Sequence, residues 1–199
     1  MGMTNDREPR SRGFTLTELL MAVALISTLA GIALPMTNDA VEELRTAAAA
    51  RYLAGQIRNG RMDAIKRSSV VALRFEAASP DYTFASYIDG NHNGVQTADI
   101  GRGVDRALTS PQRLRDHFAG VHFSLAAAIP DVDGNRGGGT DGIRIGSARI
   151  LSTSPDGTAT SGTLYVRGRR AQYAVRVLGA TGRTRVLKYD TGGRSWISR

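Results

Sequence analysis

Arg12-Gly13 leads into FTLTELLMAVALISTLAGIALPM, which runs from Phe14 to Met36 and carries one charge, Glu18. At about 1.5 Å per residue, a helical tract of this length is expected to cross the roughly 30 Å hydrocarbon layer of a bilayer. The preceding stretch, MGMTNDREPRSRG, is polar, with Arg7, Arg10 and Arg12 set against Asp6 and Glu8. Such a basic flank predicts a cytoplasmic N-terminus. An ordinary secretory signal has a shorter apolar core followed by a small-x-small cleavage site. Here Ala22-Val23-Ala24 imitates that site but lies inside the apolar run. Glu18 is the anomaly, because a carboxylate in an apolar helix is costly unless it is paired or neutralised. A free amino terminus on a neighbouring copy, created by a cut just before Phe14, would satisfy it.

Outward from this tract the chain is small and basic. Its 199 residues hold 26 Lys+Arg against 18 Asp+Glu, a net charge of +8. Only Lys66 and Lys188 are lysines, so the basic character is almost wholly guanidinium. The lack of cysteine excludes disulfide frameworks, thiolate nucleophiles and Cys-based metal or iron–sulfur sites. The length suits one compact domain with an attached element.

From Asn38 to about Arg67, Ala, Leu, Glu, Arg and Gln favour continued helix. Val41, Leu44, Ala48, Tyr52 and Ile57 recur at near-helical spacing, with Arg45, Arg51, Arg58, Arg61, Lys66 and Arg67 mostly between them. That stripe is expected to pack on a globular domain and to leave a solvated basic face. After Ser68 the period changes. Val70–Phe75, Tyr82–Ile88, Val121–Leu125, Ile143–Ser152, Thr163–Val166, Tyr173–Leu178 and Arg185–Tyr189 read as short strands between Gly, Asp and Asn turns. A helical turn is expected near Pro111–His117. No amphipathic helices separate the strands, which disfavours a parallel α/β fold.

Arg12-Gly13 followed by Phe14-Thr15-Leu16-Thr17-Glu18-Leu19-Leu20 resembles the class III signal of type IV pilins and type II secretion pseudopilins. The resemblance implies cleavage after Gly13 by a prepilin peptidase, methylation of the new N-terminal Phe14, and a docking role for Glu18 in a filament. Pro35 stands where pilins commonly carry a helix-distorting proline, and its missing N–H can kink or locally melt a helix. Ile150-Leu151-Ser152-Thr153-Ser154-Pro155-Asp156-Gly157, Ser161-Gly162-Thr163-Leu164-Tyr165-Val166, Ala174-Val175-Arg176-Val177-Leu178 and Gly182-Arg183-Thr184-Arg185-Val186 resemble the GspH/FimT-like minor pilins and pseudopilins.

The fold implied is α+β and pilin-like: a long N-terminal helix, its first half membrane-spanning, packed on a C-terminal antiparallel β-domain. The expected divisions are a cleaved leader over 1–13, a transmembrane half over 14–36, a soluble amphipathic half over 37–68, and a GspH/FimT-like β-rich domain over 69–199. The expected location is the bacterial inner membrane, single-pass, with a cytoplasmic N-terminus and a periplasmic C-terminal domain, before incorporation into a pilus or pseudopilus. Expected partners are prepilin peptidase, other major and minor pilins or pseudopilins, the inner membrane and double-stranded DNA.

The arginines choose the branch. From Arg167 onward stand Arg167, Arg169, Arg170, Arg176, Arg183, Arg185, Lys188, Arg194 and Arg199, opposed only by Asp190. Strand alternation sends Tyr173, Val175 and Val177 to one face and Arg176 to the other. Arg183 and Arg185, two apart, share a side if extended. Guanidinium groups so placed engage phosphates without reading bases, so the expectation is salt-sensitive, sequence-independent DNA binding. In FimT-like minor pilins a Gly-Arg-x-Arg element of this region is associated with DNA binding during uptake, and Gly182-Arg183-Thr184-Arg185 matches it. Arg167, Arg169, Arg170 and Lys188 are expected to support those contacts. The alternative is minor pseudopilin H, acting in tip assembly of the type II protein secretion system.

Asp89-Gly90-Asn91-His92-Asn93-Gly94 begins like a calcium loop, making Asp89, Asn91 and Asn93 a weak calcium candidate. Its twelfth position is Ile100 where a bidentate Glu is needed. The similar start at Asp131 has Arg136 in place of the turn glycine. Asx turn chemistry accounts for both loops. No serine stands in a nucleophile-elbow context and the Gly137-Gly138-Gly139 run lacks a phosphate-loop lysine, so no enzyme, catalytic residue or cofactor is expected.

Overall fold

The computed structural model describes residues 13–136 and 139–198, and for residues 32–37 the backbone alone. The leader before Gly13, the first two glycines of the 137–139 run and Arg199 lie outside the described residues. Two compact units divide the chain inside its long helix, between Ala40 and Val41.

In the first unit the chain enters helix α1, Leu16–Arg67, through Gly13, Phe14 and Thr15. The start is a capping box. Glu18 N–H donates to Thr15 Oγ1 at 3.3 Å, and Thr15 N–H donates back to Glu18 Oε2 at 2.9 Å. These bonds satisfy amides that the first turn of a helix would leave orphaned. Beyond them Leu19, Leu20, Met21, Val23, Leu25, Ile26 and Leu29 are all exposed. The helix is assigned without a break through Pro35.

The membrane-spanning first half expected over 14–36 is corrected here. Among the described residues, no helix is long and apolar enough to cross a membrane. Leu16–Gly31 carries the tract's described apolar side chains. That stretch also holds Thr17, Glu18, Ser27 and Thr28. The Ser27 and Thr28 hydroxyls turn back to the carbonyls of Val23 and Ala24, each at 2.8 Å. The single-pass inner-membrane location, with its cytoplasmic N-terminus and periplasmic domain, is corrected with it.

In the second unit, Ala47, Ala50, Leu53, Ala54 and Ile57 follow helical spacing and are buried. After α1 come β1 (Val71–Ala78), β2 (Asp81–Ile88), α2 (Thr97–Gly101), β3 (Arg106–Ala107), β4 (Gln112–Arg113), α3 (Leu114–His117), β5 (His122–Phe123), β6 (Ile143–Arg144), β7 (Ile150–Thr153), β8 (Gly162–Arg167), β9 (Gln172–Leu178), β10 (Arg183–Asp190) and β11 (Ser195–Ser198). One sheet has the order β3-β2-β1-β7, with β4 also on β2; the other is β11-β10-β9-β8-β5, with β6 also on β8. Their pairings are antiparallel.

The helix face shares one core cluster with Leu73, Phe75 and Phe84 of the first sheet and Leu164, Val166, Tyr173, Val175 and Val177 of the second. Phe123 of β5 meets Phe75 edge-on at 5.7 Å and Phe84 at 6.0 Å, joining the two. Alanines on the helix let the strands approach closely. At Gly168, in the β8–β9 turn, an added Cβ would lie 2.1 Å from Thr46 Oγ1. The expected strand over Ile143–Ser152 is two strands in different sheets. Gly146 and Arg149 take positive φ between them, which turns the chain.

A second, smaller cluster lies on the opposite face of the second sheet, where Leu125, Tyr165 and Ala174 pack with Ile129, Val132, Leu187 and Trp196. Trp196 Nε1 donates to the Pro130 carbonyl at 3.0 Å, and Val132 N–H donates to the Tyr165 hydroxyl at 3.0 Å. The 125–135 segment is thereby held over the outer face of β8, β9 and β10.

Candidate functional site

At the N-terminal end, Gly13 and Phe14 precede the helix in open chain, and Phe14 is 85% exposed. Glu18 closes its own helix start. The Thr15 amide, and then the Thr15 hydroxyl, hold its carboxyl below the ordinary glutamate range.

Arg183 and Arg185 open β10, and both are exposed. Among the described residues, no hydrogen bond or ion pair engages either guanidinium. Alternation along β10 puts Arg183, Arg185, Leu187 and Tyr189 on the outer face. Val186 and Lys188 point toward α1, where Val186 joins the main core and Lys188 pairs with Glu43. Gly182 has a structural cause of its own. Its φ is +59°, and a Cβ there would lie 2.4 Å from the Gly157 carbonyl oxygen. Arg61 of α1 fills the remaining space, its Cδ 3.5 Å from that Cβ position and its Nη2 2.8 Å from the corresponding point on Gly157. Arg61 Nε is buried with no hydrogen-bond partner.

Directly across from Arg185 on β9 stands Arg176. Two like charges in register repel, but Arg176 is held by Asp133 at 2.6 Å. Beside it Arg144 pairs with Asp131 at 3.1 Å and lies over the Tyr165 ring, 5.3 Å from its centroid. Burial works to raise the Asp131 carboxyl. The Asn135 and Asp133 amides and the Arg144 guanidinium outweigh it and hold the group below the ordinary range.

The six predicted DNA contacts do not form one patch. Arg183 pairs with Leu178 and Arg167 with Gln172, at opposite ends of β9, about 20 Å apart at roughly 3.3 Å per residue. Arg167, Arg169 and Arg170 surround the β8–β9 turn, where Arg169 reaches Glu42 at 3.3 Å. Lys188 is turned from the outer face altogether. Sequence reasoning missed Arg61 as the prop under the turn and the neutralisation of Arg176. The Gly157 positive-φ turn, which lies in the Pro-Asp-Gly stretch, is the signal that could have pointed to the first.

The Asp89 segment is a closed hydrogen-bonded loop. Asp89 Oδ1 accepts from the amides of Asn91 and His92, at 3.1 and 2.8 Å, and its Oδ2 from Gly94 at 2.7 Å. The side-chain amides of Asn91 and Asn93 donate to Asp99, which is 1% exposed and also pairs with Arg102. Asn93 first, then Arg102, hold the Asp99 carboxyl low against the cost of burial. Among the described residues, no group of three or more His, Cys, Asp or Glu could hold a metal ion.

The chain matches the prokaryotic N-terminal methylation motif over residues 9–34. It is 36% identical over 83 residues to the pilin-like protein PilA1 of Thermus thermophilus, covering 41% of this chain and 51% of that protein. The chain thus spans about half the length of that curated relative. No solved structure matches it. The motif and the relative together support the broad type IV pilin/pseudopilin superfamily.

Proposed function

We propose, from this pilin-type N-terminal motif as premise, that the chain is a minor subunit of a type IV pilus whose β domain contacts double-stranded DNA during uptake. Its apolar tract, Leu16 onward, supplies the surface by which subunits pack in a filament of major and minor pilins. The observation that carries the DNA reading is the pair Arg183 and Arg185: exposed, unpaired, two apart on one strand face, and presented by a turn that only glycine fits. Such a pair contacts successive phosphates and leaves bases unread.

A second reading is supported by the ion pairs. Arg176–Asp133, Arg169–Glu42 and Lys188–Glu43 neutralise three basic side chains of the Arg167–Lys188 stretch. A surface of paired charges suits protein neighbours, as in a minor pseudopilin at the tip of a type II secretion pseudopilus.

Titration of the full chain with duplex DNA at several salt concentrations separates the two. The DNA reading expects binding that weakens steeply with salt, and a loss of about tenfold or more in Arg183→Ala/Arg185→Ala. The logarithmic salt slope should fall by about one for each phosphate no longer engaged. Absence of binding at low salt, or binding untouched by the double substitution, leaves the secretion reading in its place.

A further inference from the structure

At the end of the second sheet away from Arg183, the β8–β9 turn borders a half-open cavity of about 150 Å³. Buried Ala171 and half-buried Ile129 give it an apolar floor, and exposed Arg167, Arg169 and Arg170 form its rim. Tyr189 closes one side. The Tyr189 ring is set edge-on by Trp196, its register partner on β11, with centroids 5.4 Å apart at 65°.

Gln172, also at the cavity, is buried and fully spent. Its Nε2 donates to the carbonyls of Ser124 and Val166, and its Oε1 accepts from the Ala126 amide. Recognition is left to the ring and the guanidiniums. A space of about this volume takes one benzene-sized ring, a tyrosine face stacks on a base of any sequence, and a guanidinium binds phosphate through paired donors. The Arg169–Glu42 pair is no obstacle: Arg169 is 82% exposed there, and such surface pairs are weak.

We propose that this cavity is a nucleotide site, taking one unstacked base against Tyr189 with its phosphate at Arg167 and Arg169. It lies on the same outer face as Arg183 and Arg185 and does not need them. The nucleotide comes either from a DNA strand or from the free pool, and the chemistry is the same for both.

Trp196 is the only tryptophan and touches Tyr189, so its emission reports the site in the full chain. Titration with dTMP should give a saturable change, with inorganic phosphate and thymidine each at least about tenfold weaker. Tyr189→Leu should weaken dTMP roughly 5- to 100-fold and Tyr189→Phe should restore it. Arg167→Ala, at the exposed end of β8, should weaken it without disturbing thermal unfolding. Arg183→Ala/Arg185→Ala should leave the dTMP titration unchanged while lowering duplex affinity, which separates this site from the Arg183–Arg185 contact. A single-stranded oligothymidylate binding more tightly than dTMP assigns the nucleotide to a DNA strand; equal affinity assigns it to the free pool. Inorganic phosphate or polyglutamate producing the same change at the same concentration would overturn the proposal. So would dTMP binding that neither Tyr189→Leu nor Arg167→Ala weakens.

Discussion

Leu25 and Leu53 lie on one helix, yet Leu25 is 65% exposed and Leu53 is fully buried. The difference follows from what surrounds each in sequence. Around Leu25 apolar residues occupy every side of the helix, so no single strand layer within the chain could cover them. Around Leu53 they narrow to a stripe of alanines with Leu53 and Ile57, and two sheets close onto that stripe. Apolar residues all round a helix call for partners outside the chain; an apolar stripe calls for a partner inside it. The first half of α1 is accordingly the half proposed for assembly, and the second half is a core element.

The sharpest way to break that contrast is to truncate both leucines. Leu53→Ala should cost about 2–5 kcal/mol, seen as a drop of roughly 5–15 °C in the thermal midpoint. Leu25→Ala should stay within about 0.5 kcal/mol. Equal effects would contradict the division.

Gly182→Ala should come next, at about 1–3 kcal/mol, since it combines a positive φ with a close backbone contact. It should also lower duplex affinity with Arg183 and Arg185 both intact. Unchanged binding would show that the glycine does not position them.

Thr15→Ala should remove about 0.5–2 kcal/mol from the helix start. Faster hydrogen exchange over residues 15–19 should report it, with the midpoint of the β domain unmoved.

Acid should give the smallest and most distributed effect. Glu18, Asp99, Asp131 and Asp141 all have carboxyls held low in the folded chain. At Asp141 burial opposes this, but the Ile143 amide, the Tyr82 hydroxyl and Arg149 prevail. A group lowered on folding stabilises above its unfolded value and loses that contribution as pH falls through its folded value. The midpoint should therefore decline as pH drops below the ordinary carboxylate range, and Asp141→Asn should flatten that decline.

Much of this fold was legible in the chain. The change from helical to strand period after Ser68, the turn glycines and the alternation of Tyr173, Val175 and Val177 all have their counterparts in the structure. The two-residue strands β3 and β4, the five-residue α2 and the terminal β11 were not legible, because pieces that short carry no period of their own. Tertiary pairing alone fixes them. For the site, spacing placed Arg183 and Arg185 on one face, since alternation is local. It could not place Lys188 toward Glu43, Arg176 against Asp133 or Arg61 beneath Gly182, because each depends on which distant segment packs alongside. The membrane-spanning reading of the run after Gly13 is set aside on a different ground: among the described residues no helix is long and apolar enough to cross a membrane.

The central claim is that the chain is a pilin-type subunit whose N-terminal tract is released at Gly13 for assembly. Mass spectrometry of the N-terminal peptide from the protein in its native host tests this most directly. The account predicts a chain beginning at Phe14 with one added methyl group, and a retained leader in Gly13→Asp. A native chain that still carries residues before Phe14, or one whose cleavage ignores the Gly13 substitution, would contradict it.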